Sequence, residues 1–168
     1  MQYELHSYRH GLTIATEQEN KNIWIEIEQV LKSISDSDLK TQFGTSTNKM
    51  SLSAAINDLM KEKFTKRGWT PQAPIFQDQE YADKKESCWR LDFAKGPISI
   101  EVAFNHGEAI AWNLLKPVLA SELNHVRKAI QTKIGVIITA TSLMKVAGAF
   151  DSAVGSYEKV LRYLKPLS

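Results

Sequence analysis

The stretch Trp89-Arg90-Leu91-Asp92-Phe93-Ala94-Lys95-Gly96-Pro97-Ile98-Ser99-Ile100-Glu101-Val102-Ala103-Phe104 decides how the chain is read. Trp89 to Phe93 and Ile98 to Phe104 are strand-like runs, and the short link Ala94-Lys95-Gly96-Pro97 between them is a hairpin signal. Side chains alternate faces along a strand, so Ser99, Glu101 and Ala103 share one face while Ile100, Val102 and Phe104 take the other. Glu101 is thus a lone carboxylate in a run that otherwise reads as core. Burying it is costly unless a metal, a cation or a proton satisfies it. Pairing the strands brings Asp92, near the end of the first run, close to Glu101. Two carboxylates at one site repel, and a divalent cation relieves the repulsion. A small set of hard oxygen ligands, with room for water and phosphate, suits Mg²⁺. Such an ion polarises a phosphodiester. Spacing alone leaves an alternative open, with Asp92 a turn residue and Glu101 in a salt bridge to Arg90 or Lys95.

Outward from the hairpin, helix and strand signals alternate. Ile23, Ile27, Val30, Leu31 and Ile34 line one face of a helix expected from about Asn22 to Ser33. Residues 3 to 15 read as an irregular or short-strand lead-in, and residues 35 to 49 as a polar loop. Gly44-Thr45-Ser46-Thr47-Asn48-Lys49 lacks the second glycine and the preceding strand of a phosphate loop. A second helix is expected from Ser53 to Arg67 with Gly68 at its C-cap. Its polar side carries Lys61, Lys63, Lys66 and Arg67, either a solvated face offsetting the helix dipole or a set of phosphate contacts. After the hairpin come a helix from Glu108 to Leu123 kinked at Pro117, and a strand over Ile134-Thr139 apolar enough to be buried on both faces. A last helix is expected from Ser152 to Tyr163, capped by Asp151 or Ser152. This order predicts an α/β or α+β domain spanning residues 1–168, with helices flanking a central mixed sheet.

Composition bounds the function. The chain has 168 residues, 43% of them hydrophobic, enough for a core without disulfide or metal staples. A net charge of +2 permits a nucleic-acid partner without demanding one. The single cysteine, Cys88, excludes a disulfide framework and a Cys-rich zinc site, and points to a reducing, cytoplasmic compartment. Neither a secretory leader nor an apolar run long enough to cross a bilayer is visible. His6, His10, His106 and His125 show no zinc-ligand spacing, and no Ser or Cys nucleophile motif is present. Trp24, Trp89 and Tyr157 read as core rather than as base-stacking platforms.

Leu91-Asp92-Phe93-Ala94-Lys95, followed by Ile100-Glu101-Val102-Ala103-Phe104, resembles the catalytic hairpin of the BglII-like restriction endonucleases of the PD-(D/E)XK superfamily. That hairpin reads Asp-Phe-Gly-Lys and then Val-Glu-Val-Gln-Phe. Trp24-Ile25-Glu26-Ile27-Glu28, Trp69 with Pro74-Ile75, Val136-Ile137-Ile138-Thr139 and Tyr157-Glu158 extend the resemblance over most of the chain in the same order. It implies a restriction-endonuclease-like fold and a homodimer that cuts double-stranded DNA at a short palindromic site with Mg²⁺. Asp92 and Glu101 fall on the metal-binding acids, and Gln72 on a polar active-site position, with an ordinary loop glutamine as its other reading. Asn105 and His106 follow the catalytic strand where the family meets DNA; Asp151 and Ser152 fall near other groove-facing positions, with helix capping as their other role.

One position departs from the pattern. Where relatives carry glutamine, glutamate or lysine, this chain has Ala103, which can neither orient water nor accept its proton. The chain is then a degenerate, inactive member, or one whose residue was substituted to trap a DNA complex, or one in which another group fills in. A member of a different class, an α/β interaction domain without a nucleic-acid role, is the remaining alternative. The chain also ends soon after the last helix it shares with the family.

Overall fold

The computed structural model describes residues 1–44, 51–82, 87–122 and 126–167. Four strands form one sheet in the order β1-β2-β3-β4: β1 (Thr70–Pro74), β2 (Arg90–Lys95), β3 (Ile98–Val102) and β4 (Ile134–Ile138). The first three run antiparallel, and β4 is parallel to β3, so the sheet is mixed as expected. The hairpin turn is Gly96-Pro97, with Gly96 at φ +52, a conformation that a side chain would strain.

Four helices precede the sheet: α1 (Gly11–Thr16), α2 (Lys21–Ser33), α3 (Asp36–Gly44) and α4 (Leu52–Lys66). Trp24, Ile27 and Val30 of α2 and Ile56, Met60 and Phe64 of α4 pack with Phe93, Ile98 and Ile100 of the hairpin. The helical spacing in the sequence therefore marks the faces that meet the sheet. A short α5 (Gln79–Ala82) follows β1, and α6 (Ile110–Ser121), α7 (Ser142–Ala147) and α8 (Tyr157–Leu164) follow the hairpin. Ala120 of α6 joins Ala94, Leu91, Ile75 and Phe76 in a second core. Trp89 belongs to an edge-packed aromatic group with Phe76, Tyr81 and Trp112, and Trp24 lies in the first core.

Several expectations are corrected. The lead-in contains helix α1. The segment after α2 is helical over Asp36–Gly44 rather than a loop: Ser35 N–H donates to Asp38 Oδ2 and Asp38 N–H to Ser35 Oγ, a reciprocal cap, and Leu39 is buried beneath. Residues 45–49 of the phosphate-loop-like stretch, and His125, lie outside the described residues. Strand β4 is at the sheet edge, and only Ile134 among its residues is fully buried. The last helix begins at Tyr157, capped by Ser156, whose Oγ accepts from Lys159 N–H. Asp151 and Ser152 lie in the turn before it: Asp151 Oδ1 accepts from Ala153 N–H at 2.8 Å. Helix α6 runs through Pro117. Among the described residues no helix is long and apolar enough to cross a membrane.

Candidate active site

The hairpin register pairs Phe93 with Ile100, which sets Asp92 across from Glu101. The two acids are locked together by their backbones. Asp92 N–H donates to Glu101 Oε1 at 3.3 Å, and Val102 N–H donates to Asp92 Oδ2 at 2.7 Å. From β1, Gln72 Nε2 donates to Asp92 Oδ1 at 3.2 Å. Gln72 sits at φ +48, a left-handed conformation uncommon outside glycine, between the paired residues Pro71 and Ala73.

Glu101 is 1% exposed. Its Oε2 forms an ion pair with Lys116 Nζ of α6, and Lys116 also donates to the carbonyl of Arg90 at 3.2 Å. Burial, and then the neighbouring Asp92 carboxylate, push the Glu101 carboxyl up to about 7, while the Lys116 ammonium pulls it down. The alternative partners considered from the sequence are engaged elsewhere. Lys95 Nζ is held by both oxygens of Glu26, at 2.9 and 2.8 Å, and Arg90 Nη1 donates to the carbonyl of Gln72 at 3.0 Å.

These groups line a polar cavity of about 350 Å³. Gln72, Asp92 and Glu101 form its sheet side; Asn105, Asn113 and Lys116 lie toward α6, and Asn57 of α4 completes it. Asn113 Nδ2 donates to Asn105 Oδ1 at 3.0 Å. Four of the sequence candidates, Gln72, Asp92, Glu101 and Asn105, are thus brought together. Exposed His106 pairs with Val154 in an isolated bridge, and Gly107 N–H donates to Ala153 O at 2.7 Å, so the loop after β3 lies beside the Asp151-Ser152 turn. Ala103 is 3% exposed and pairs with β4 through its N–H to Ile138 O at 2.7 Å; its methyl group does not line the cavity.

The basic end of α4 divides. Lys66 pairs with Glu62, Lys63 donates to Ser33 O at 3.3 Å, and Arg67 Nη1 donates to Lys63 O at 3.2 Å. Exposed Lys61 stands one helical turn beyond Asn57, on the cavity side of the helix. Sequence reading missed Asn57, Asn113 and Lys116. The signal for the last two was available: they are polar residues three apart in a helix that is otherwise largely apolar, so they share a face.

A family model described as restriction endonuclease BglII/BglIII matches residues 3–168. The fold is also that of the crystal structure of restriction endonuclease BglII complexed with a DNA 16-mer, with a TM-score of 0.64 and 19% sequence identity. The match covers 95% of this chain and 66% of that one, so the chain spans about two thirds of the relative's length. A comparison with curated protein sequences finds no match. With the family model matched over nearly its whole length, the chain belongs to the BglII/BglIII family of restriction endonucleases.

Proposed function

We propose that the protein is a homodimeric, Mg²⁺-dependent type II restriction endonuclease, hydrolysing phosphodiester bonds of double-stranded DNA at a short palindromic site in the cytoplasm. The observation that carries this reading is the juxtaposition of Asp92 and Glu101 in a polar cavity. Family membership and the DNA complex of the relative supply the substrate class.

The donor set fits Mg²⁺. Among the described residues no group of three or more His, Cys, Asp or Glu gathers, as zinc would favour. Two carboxylates are what an ion that keeps several waters and takes up phosphate oxygens uses. Each carboxylate oxygen now accepts one N–H, and a carboxylate offers about four lone-pair sites, so both acids retain capacity to ligate. Bound there, the ion would supply positive charge that polarises the phosphodiester. The chain's own residues do the rest. Val102 N–H and Gln72 fix the Asp92 carboxylate, and the Asp92 N–H fixes Glu101, so both acids are aimed before DNA arrives. The Asn105–Asn113 pair and Lys61 flank the cavity as groups for base edges and phosphate.

Asp92→Asn and Glu101→Gln test the assignment. Each should weaken Mg²⁺ or Ca²⁺ binding in the DNA complex and abolish cleavage while leaving the fold intact. Unchanged ion affinity in both variants would remove the metal site. Ala103 favours a second reading, a family member that holds DNA without cutting it. Salt-dependent binding to duplex DNA with no cleavage in Mg²⁺ would establish that one instead.

A further inference from the structure

We propose that Lys116, reaching in from α6, is a catalytic residue that stabilises the charge developing on the scissile phosphate. The inference rests on the nuclease reading above and names the group that completes its site.

Three observations meet at Lys116. Its ammonium contacts Glu101 Oε2, so it stands beside the two acids of the hairpin. It is 7% exposed yet lines the cavity, which places a fixed positive charge in a site largely shielded from water. An ammonium carries three N–H donors. Two are used, on Glu101 and on the Arg90 carbonyl, and one remains for a ligand in the cavity.

A structural purpose explains this arrangement poorly. Buried ion pairs contribute little net stability compared with apolar side chains of similar volume, because both charges must be desolvated. Here the pair is set at the wall of a polar cavity beside a second carboxylate, with Asn113 one turn earlier on the same helix face. The charge faces a polar cavity that a phosphate oxygen can enter.

In the reaction, water oxygen bonds to phosphorus and one bridging P–O ester bond breaks, its electron pair leaving on the sugar oxygen. The water gives up one proton to solvent and the sugar oxygen takes one up. Lys116 keeps its protons throughout and donates its remaining N–H to a non-bridging phosphate oxygen as charge accumulates there. The helix then supplies a phosphate donor that does not depend on position 103.

The test is single-turnover cleavage of a duplex DNA library of randomised sequence in Mg²⁺, with binding to the same library measured in Ca²⁺ and thermal unfolding recorded for each chain. The protein itself should cut. Lys116→Met should lower the cleavage rate by about 10²–10³-fold, with library affinity within a few-fold. Lys116→Arg, which keeps the charge, should retain more activity. Because Lys116→Met leaves Glu101 without its partner, Lys116→Arg is the control that keeps the pair, and thermal unfolding separates a loss of folding from a loss of rate. If the protein cuts and Lys116→Met cuts equally fast, Lys116 is not catalytic, although the nuclease reading stands. If Lys116→Met loses rate, binding and thermal stability together and Lys116→Arg cuts no faster than Lys116→Met, the residue is structural and the proposal fails. Binding without cleavage by the protein itself also overturns it, in favour of the non-cleaving reading. Absence of salt-dependent DNA binding would overturn the nuclease reading itself.

Discussion

Gln72 holds a backbone conformation that its own side chain disfavours. At φ +48 an L-residue other than Asn, Asp or Gly carries a cost of roughly 1–3 kcal/mol, and it persists only where neighbours over-determine it. Here the neighbours are the β1–β2 pairs on either side, the Arg90 guanidinium on its carbonyl and the Asp92 carboxylate on its amide. The strain is thus coupled to the aim of a proposed metal ligand. Gln72→Gly should relieve it and raise the unfolding free energy by about 1 kcal/mol, while removing the amide that steadies Asp92. The expected outcome is a protein with a higher urea midpoint and slower cleavage. A variant that is both less stable and equally active would show that the left-handed turn serves neither end.

Helix α6 carries Asn113 and Lys116, so its seating on the sheet sets the geometry of the cavity. That seating depends on Gly135 of β4, where an added Cβ would collide with the Cβ of Pro117 and lie 3.0 Å from its Cγ. Gly135→Ala should therefore cost about 1–3 kcal/mol in unfolding free energy and slow cleavage by displacing the helix. A second junction ties α8 to α7: Glu158 accepts from Ser142 Oγ at 2.7 Å and from Ser142 N–H at 3.1 Å, which lowers its carboxyl to about 2. A depressed folded-state value gives stability that is present above the ordinary 4.5 and lost as pH falls through about 2. The group is exposed, so the contribution at neutral pH should be no more than about 1 kcal/mol, and Glu158→Gln should converge with the parent between those values. Legibility also divides at this scale. The hairpin, α2 and α4 were readable because apolar periodicity and turn residues agree there. Strand β1 was hidden by Pro71 and Pro74, which an edge strand tolerates. The strand β4 has a core-like run but an edge position, which is set by sheet order and not by its own residues. Asp92 and Glu101 were legible because they share one hairpin, whereas Lys116 reaches Glu101 only after α6 packs on the sheet.

The chain bears a net charge of only +2, so on the proposed reading its attraction to DNA would come from where its cations stand. Lys61 is exposed on the cavity side of α4, whereas Lys63, Lys66 and Arg67 are tied to nearby groups. If Lys61 meets phosphate, Lys61→Ala should weaken binding to all sequences alike and reduce the salt slope by about one. If His106 and Asn105, lying beyond β3, read base edges, their replacement should instead cost about 1–3 kcal/mol at particular base pairs. On the proposed reading the Asp92–Glu101 pair gives one centre, hence one strand cut, per copy. Cutting both strands of a palindrome then requires two copies related by a two-fold axis, each facing one half-site. Mixing the protein with an equal amount of Asp92→Asn chain, under conditions that allow subunits to exchange, should make about half of the dimers mixed. Each mixed dimer has one working centre and should nick its site rather than break it. Supercoiled plasmid should accordingly accumulate as open circles, in proportion to the mixed species seen by native mass spectrometry. If the mixture gives only linear product at half the rate, one chain cuts both strands in turn, and the dimeric reading fails.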